Sequence, residues 1–248
     1  MLMKKILIGG LLLSSASVFA QSCPVDVQND IHINEGQVSV YQRGQPKMMI
    51  DENNNIFING KQLDLNAMQR QAVEAYSNGV QEYLPKMADI ANDGVGIATD
   101  VLEEVSSSFD SKESFAKVES LIDEYGKKAQ EKFYQDGEFV MPADMFADVD
   151  LSWKAEFEEA MKHVSVESMS GLFAALSDEM KNGEISFTEL QNKFAELKLR
   201  IEERIQSRSG EIATKANDLC DSIKGLAEEE QQLHKAIPEL KDYQMFEI

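Results

Sequence analysis

The chain has 248 residues, with 44 acidic side chains against 24 lysines and arginines, and a formal net charge of −20 at pH 7. So negative a protein is not expected to make sustained contact with nucleic-acid phosphates, which excludes nucleic acid as a partner. Hydrophobic residues make up 43% of the chain, enough for a core, so the sequence predicts a folded protein rather than a disordered acidic tail.

Residues 1–20 have the pattern of a secretory signal peptide. Lys4 and Lys5 precede an apolar run over 6–13, and small residues lead to Ala20, after which we predict cleavage. The apolar run is much shorter than the roughly 20 residues that cross a bilayer, and no later window reaches that length. We therefore expect an exported, soluble chain with no membrane span. Lipidation at Cys23 is a less favoured alternative, because the residues before it fit the motif poorly.

The chain has two cysteines, Cys23 and Cys220, and both remain after the predicted cleavage. In an oxidising compartment a pair of thiols usually forms a bridge, so we predict the disulfide Cys23 to Cys220. Because the closed loop is nearly the whole mature chain, the bridge would contribute about 4 to 5 kcal/mol in the chain-entropy model. An intermolecular bridge or a redox pair is the alternative, although no C-x-x-C motif is present.

Alternating apolar residues predict an N-terminal β unit over 21–65. Turn residues separate the strand candidates, and Asn59-Gly60 suits the positive φ angles of a type I′ hairpin. The apolar groups are Val27, Ile31 and Ile33, then Val38, Val40 and Tyr41, then Met48 to Ile50, and then Ile56 to Ile58.

From Asn66 onward the apolar period becomes helical. Asn66 and Gln69 form a predicted capping pair, and Pro85 predicts a break near Leu84, because proline removes a backbone donor. Two further helices are predicted over 95–109 and 115–133, with Ser111 as the cap between them.

A loop of mixed acidic and apolar residues is predicted over 136–150. Its carboxylates Asp144, Asp148 and Asp150 could collect a divalent cation weakly. A solvated acidic loop is the favoured interpretation, because no organising glycine turn accompanies the acids.

A helix is predicted from about Ser152 to Asn182-Gly183, where it stops. It contains a group of apolar residues that includes a methionine, whose flexible side chain can pack against varied shapes. This group is a candidate surface for unfolded or helical partners, and core packing is the favoured alternative. Its members are Met169, Leu172, Phe173 and Leu176.

The last predicted helix, over 188–235, would be about 70 Å long. Ser186 and Glu189 match a capping box at its start, and apolar residues at spacings of three and four then run along it as in a coiled coil. Its apolar seam packs either within one chain or against a second copy. We favour a monomer over a homodimer, because the other amphipathic helices also need a place to bury their apolar faces.

Strands and helices are thus segregated along the chain, which predicts an α+β fold. The expected architecture is a small N-terminal antiparallel β-meander followed by a long-helix bundle, predominantly α. Its segments are a signal peptide over 1–20, the β unit over 21–65 and the helical bundle over 66–248.

Residues 59–85, NGKQLDLNAMQRQAVEAYSNGVQEYLP, resemble the YggN-like family of exported proteobacterial proteins, in which a similar NGKQLxLNxxQR stretch leads into a helix. The early Cys23 and the late Asp218-Leu219-Cys220 extend the resemblance. It implies a periplasmic location and paired cysteines, and it supplies no catalytic or binding residue.

We predict no catalytic, cofactor-binding or metal-binding residue. The histidines His32, His163 and His234 are dispersed, and the i,i+4 pair of His163 and Glu167 lacks the second histidine of a zinc motif. Asp51, Asn53 and Asn55 resemble the start of a calcium loop. Later positions of such a loop need a glycine and a bidentate acid, where this chain has isoleucine and glutamine, so we predict a simple turn.

These observations favour a non-enzymatic periplasmic protein that acts by protein interaction, such as a chaperone-like envelope factor with an envelope protein as its partner. The alternatives are a small-molecule or divalent-cation binding protein and, least favoured, a hydrolase with a site formed by scattered acids.

Overall fold

The computed structural model describes residues 23–108, 112–143 and 186–248. Its strands in the first part are β1 (Asp26–Val27), β2 (Asp30–Asn34), β3 (Gln37–Gln42), β4 (Gln45–Ile50), β5 (Ile56–Ile58) and β6 (Lys61–Gln62). Three helices and two more strands follow: α1 (Ala67–Tyr83), α2 (Lys86–Ser108), α3 (Lys112–Phe133), β7 (Tyr134–Gln135) and β8 (Glu138–Met141). The last elements are α4 (Phe187–Ala236), a 3-10 helix (Pro238–Tyr243) and β9 (Phe246–Glu247). The α+β fold with an N-terminal antiparallel sheet is confirmed.

The larger sheet has seven strands in the order β6-β5-β4-β3-β2-β8-β7, all antiparallel to their neighbours. One face is apolar because alternate residues of each strand point the same way. The predicted Asn59-Gly60 hairpin turn is present, and both residues have positive φ. Buried residues of that face include Ile31, Val38, Val40, Met48, Ile50, Ile56 and Met141.

Part of the predicted loop over 136–150 is instead a hairpin, so the prediction is wrong at 138–141. Strand β8 pairs with β2, where Ile31 faces Met141, and thereby places a distant segment in the N-terminal sheet. Asp136 and Gly137 form the two-residue turn, with φ of 52° and 86°. A two-residue turn of this kind matches the twist of antiparallel strands, and Asp-Gly is a strong sequence signal for it. The rest of the predicted loop lies outside the described residues.

Helix α1 begins at the predicted capping box, in which the Asn66 side chain accepts from the Gln69 N–H and the Gln69 side chain accepts from the Asn66 N–H. The predicted break lies at Leu84 and Pro85, between α1 and α2. Helix α2 starts at Lys86 and joins the helical pattern predicted through Met87 and Ile90 to the one predicted from 95, because a proline is tolerated just before or at the first turn of a new helix. The proposed cap Ser111 lies outside the described residues.

Helix α4 is one continuous helix of 50 residues, about 75 Å long, and it starts at the predicted Ser186 and Glu189 capping box. Its second half packs on α1 and the sheet, where Ile223, Leu226 and Leu233 are buried in the main core. Its first half packs with α2 and α3 around a second, smaller cluster. That cluster is formed by Phe115, Val118, Ile122 and Leu197.

Gly79 of α1 allows the close approach of α1 to α4. A Cβ atom at this position would lie 2.7 Å from Leu226 Cδ2, closer than real atoms pack, and the Leu226 side chain is buried. We expect Gly79→Val to lower the free energy of unfolding by about 2 kcal/mol, because overpacking forces the two helices apart. Gly94→Val is the matched control, since a Cβ at Gly94 meets nothing within 4 Å. Urea unfolding of both variants makes the comparison, and equal losses would contradict the packing explanation.

Within the described ranges no helix has the length and apolar character needed to span a membrane.

Candidate functional site

An acidic side chain, Glu230, lies inside the main core. It occupies the apolar face of α4 between the buried residues Leu226 and Leu233, and only 2% of it is exposed. Its carboxylate accepts the backbone N–H of Met245 at 2.6 Å and that of Phe246 at 2.9 Å. The two carboxylate oxygens therefore bind the backbone at the start of β9. In the described part of the chain, no other side-chain carboxylate accepts a hydrogen bond from these two N–H groups.

Tyr76 of α1 faces the same carboxylate. Its ring is buried, and its hydroxyl is close enough to the Glu230 carboxylate to interact with it. Burial, followed by the negative charges of Glu230 and Glu229, raises the pKa of Tyr76 well above its usual value. The hydroxyl thus stays protonated and is available as a donor or an acceptor to Glu230.

Burial also raises the pKa of Glu230 to about 7, although the N–H groups of Met245 and Phe246 and the Tyr76 hydroxyl act in the opposite direction. His234, one turn along α4, has its Nε2 atom 3.9 Å from the Glu230 carboxylate. Burial, followed by the charge of Lys241, lowers the pKa of His234. The Glu230 carboxyl can therefore change protonation near neutral pH, whereas burial favours the neutral form of His234.

The C-terminal segment, residues 237–248, is held to the sheet by hydrogen bonds from residues far away in sequence. Asn29 donates through Nδ2 to the Gln244 carbonyl at 2.6 Å, and Gln42 donates through Nε2 to the Asp242 carbonyl at 2.8 Å. The Gln28 N–H donates to the Met245 carbonyl at 2.9 Å. Strand β9 also pairs with β1, so the segment closes the fold by joining its two ends.

The disulfide predicted between Cys23 and Cys220 is present, with a Cα to Cα distance of 5.5 Å. It joins the residues just before β1 to α4, less than three turns before Glu230. The bridge and the Glu230 carboxylate therefore stabilise the same junction of β1, β9 and α4.

The chain was compared with protein families, curated proteins and solved structures. The family described as "Protein of unknown function (DUF2884)" matches residues 23–246. The chain belongs to this family. No curated protein and no solved structure matches it. The family range begins at Cys23 and ends at Phe246, so it spans the disulfide, the buried carboxylate and the strand that the carboxylate holds.

Several residues singled out in the sequence lie outside the described part of the chain. These are Met169, Leu172, Phe173 and Leu176 of the candidate partner surface, His163 and Glu167, and the acids Asp144, Asp148 and Asp150. Their predicted roles stay predictions.

The predicted turn at Asp51 is confirmed. The Asp51 carboxylate accepts the N–H of Asn53 at 3.0 Å, the N–H of Asn55 at 2.8 Å and the Asn55 side-chain amide at 2.9 Å. Burial acts to raise the pKa of Asp51, but the hydrogen bonds from Asn55 and Asn53 outweigh it and hold the pKa below its usual value. These oxygens are thus used to shape the turn between β4 and β5.

The two described histidines lie in different surroundings. His32 stacks on Tyr41, with ring centroids 3.8 Å apart, and its Nδ1 atom lies 3.2 Å from the Glu138 carboxylate on β8. His234 lies beside Glu230 in the core. Among the described residues no group of three or more histidine, cysteine, aspartate or glutamate side chains is placed to hold a metal ion.

A ladder of ion pairs joins α2 to α4. Arg200 and Arg204 both reach Glu104, at 3.0 and 3.5 Å, and Arg208 reaches Asp100 at 3.6 Å. The partners run in opposite directions along the two helices, so they fix an antiparallel register. The paired side chains are partly exposed, and an exposed ion pair contributes only about 0 to 1 kcal/mol to the free energy of unfolding. These ion pairs therefore fix the alignment of α2 and α4 more than they stabilise the fold.

Neither Glu230 nor Tyr76 was predicted from the sequence as a site residue. Both residues occupy apolar positions of their helices: Glu230 falls four residues after Leu226 and three before Leu233. A glutamate at a position where the helical spacing predicts an apolar residue indicates a buried, hydrogen-bonded carboxylate. Its partners were not predictable, because they are backbone N–H groups of a short C-terminal strand.

Proposed function

We propose that the protein is an exported, periplasmic member of the YggN-like family that acts without catalysis, by binding other proteins of the cell envelope. The compartment is supported by the disulfide between Cys23 and Cys220, because such bridges persist in oxidising compartments. The signal-peptide pattern over 1–20 points the same way.

The binding role is supported by the helical arm, which we define as α3 with residues 95–108 of α2 and 187–212 of α4. The arm lies beyond the sheet, and its buried core is the cluster formed with Phe115 and Leu197. A narrow core of this kind leaves much of each helix exposed. Long helices with exposed faces suit the recognition of extended or helical polypeptides, which bind by laying side chains along a groove or ridge.

The observation that carries the proposal is the exposure of large apolar side chains on the arm. Phe187 is 61% exposed, Leu199 is 66% exposed and Ile205 is 39% exposed. Phe187 and Ile205 are 18 residues apart, which is five helical turns and places them on one side of α4. Apolar side chains spaced along an exposed helix provide separate anchor points for one elongated partner.

The glutamate, tyrosine and histidine of the core support a non-enzymatic role. Among the described residues, Glu230 and Tyr76 are each 2% exposed and His234 is 9% exposed, so these side chains are poorly placed to meet a substrate. The cleft beside the arm is lined by paired charges, including Asp100, Glu104 and Arg204, whose groups already bind one another.

Photo-crosslinking in intact cells tests this function. A photo-reactive residue replaces Phe187 or Ile205 on the arm, and the matched control carries it at Lys61, an exposed position on the sheet. We expect discrete protein adducts from both arm positions and none from Lys61. Mass spectrometry of the adducts identifies the partners.

A substitution refines the same test. With the probe at Ile205, we expect Phe187→Ser to reduce the adduct yield about tenfold, because an apolar side chain buried on binding contributes about 1.5 kcal/mol. Leu199→Ser is the control and should leave the yield unchanged, because Leu199 is exposed but lies about a third of a turn away from the side that Phe187 and Ile205 share. Equal adducts at the arm and at Lys61, or none at either arm position, would contradict the proposal.

A further inference from the structure

The main core and the smaller cluster share no residue, and three helices cross from one to the other. The helical residues that pack on neither cluster form a neck, which we define as 92–94 of α2, 123–132 of α3 and 202–218 of α4. No side chain of the neck is buried. We propose that the neck is a hinge, about which the outer part of the helical arm, around Phe115 and Leu197, changes its angle to the sheet.

Each of the three neck segments contains a glycine, namely Gly94 in α2, Gly126 in α3 and Gly210 in α4. A Cβ atom at Gly94 or at Gly210 would meet nothing within 4 Å, so neither glycine makes room for a neighbour. At Gly126 a Cβ atom would lie 3.1 Å from Val95 Cγ1, so this glycine also lets α3 approach α2. Glycine gives a helix backbone more freedom to bend than any residue with a side chain does. All three helices thus have a point of low stiffness where the arm leaves the main core.

The glycines of α2 and α4 lie at the same level of the arm. The Lys215 Nζ atom lies 2.6 Å from the Asp93 carboxylate, and the Arg208 guanidinium lies 3.6 Å from the Asp100 carboxylate. In sequence the α2 glycine falls between these two acids, and the α4 glycine falls between the two bases. The two ion pairs therefore bracket both glycines, so the two helices can bend together at one level without losing their register.

The polar contacts in the neck resist bending only weakly. The ion pairs of Lys215 and Arg208 are partly exposed, and the Coulomb energy of an exposed pair varies slowly with distance because water screens it. The Thr214 hydroxyl donates to the Gly210 carbonyl at 3.0 Å, and such a bond to the preceding turn favours a bend in the helix. The close-packed clusters on either side tolerate much less deformation, so a change of shape is concentrated in the neck.

A hinge at the neck extends what the arm can do. This consequence rests on the proposed function: an arm that turns at the neck can bring Phe187 and Ile205 against partners of different shape, which a fixed arm cannot. The hinge itself concerns the shape of the chain and does not depend on the arm binding a partner. It can therefore be tested on the isolated protein, and a failed crosslinking experiment would leave it standing.

Pulsed electron paramagnetic resonance on the full, oxidised chain measures the motion of the arm. Spin labels are attached through a bio-orthogonal amino acid, so that the disulfide stays intact. Labels at Lys61 on the sheet and Lys193 on the arm report across the neck, and labels at Lys61 and Lys224 form the reference pair on the main-core side. In the wild type we expect the distance distribution across the neck to be about twofold wider than that of the reference pair. Equal widths would overturn the proposal.

The double variant Gly94→Ala and Gly210→Ala tests the cause of the motion. Both positions have room for the added methyl group, and alanine stiffens both helices, so we expect the width across the neck to fall about twofold, toward that of the reference pair. Gly225→Ala is the matched control. Gly225 lies in α4 beside the main core, where an added Cβ also meets nothing within 4 Å, so this variant should keep the wild-type width. An unchanged width in the double variant, or equal narrowing in Gly225→Ala, would show that the neck glycines do not form a hinge.

Discussion

Phe246→Ala is expected to lower the free energy of unfolding by about 3 to 5 kcal/mol, the range for truncating a fully buried aromatic side chain. Phe246 is 0% exposed, lies on β9 near the C-terminal end of the chain, and packs in the core with Val25, Val27 and Ile223. A terminal residue usually contributes little, because chain ends fray. Here the C-terminal segment is a full part of the core, so the loss should be that of a central residue.

The Phe246→Ala variant also removes the side-chain packing of residue 246 without removing its hydrogen bond to Glu230. The N–H of residue 246 remains in Phe246→Ala, so the carboxylate can keep both of its backbone donors. Urea unfolding followed by far-UV circular dichroism measures the loss. The control is Ile248→Ala, because Ile248 is an apolar residue of the same segment that is 49% exposed. Similar small losses in both variants would mean that the C-terminal segment is not part of the cooperative core.

The sequence predicted the local structure well wherever a local signal determines it. The Asn66 and Gln69 capping pair, the Asn59-Gly60 turn and the break at Pro85 depend on residues within one turn of each other. These residues act on the backbone next to them, so the cap, the turn and the break that they form do not depend on the rest of the chain.

The long-range pairings were harder to predict. Strand β8 joins β2 although Ile31 and Met141 are 110 residues apart, and β9 joins β1 although Asp26 and Glu247 are 221 residues apart. Both are short strands, and a short apolar run has the same appearance whether it lies in a loop, a helix or a strand. The loop predicted from 136 contained the Asp136-Gly137 hairpin signal, but the residues that follow it form a strand by pairing with the backbone of β2, which is distant in sequence.

The candidate site depends on the same long-range contacts. The disulfide was predictable, because the sequence predicted export and its two cysteines allow one intramolecular pairing. The role of Glu230 was not predictable, because its hydrogen-bond partners are the N–H groups of Met245 and Phe246, on the segment that pairs with β1.

Removing the disulfide should have an effect as large as the loss of Phe246. For the double variant Cys23→Ser and Cys220→Ser, we expect the free energy of unfolding to fall by about 4 to 5 kcal/mol, because the bridge restricts the unfolded chain over a sequence separation of 197 residues. The helical content should persist. The sheet and α4 are stabilised by their own packed clusters, whereas the bridge attaches only the few residues before β1.

Reduction of the wild type provides the matched comparison, because it opens the same bridge without changing the sequence. We expect the reduced wild type and the double variant to have the same urea midpoint and nearly the wild-type far-UV spectrum. Hydrogen exchange should then locate the loosening. Because β1 pairs only with β9 in the described structure, freeing Cys23 should first expose the amides of Val27 and Phe246, and through Phe246 the hydrogen bond to Glu230. Loosening confined to the helical arm would contradict this order. Loosening at β1 and β9 would establish that the disulfide and the buried carboxylate stabilise one junction, at which β1, β9 and α4 meet.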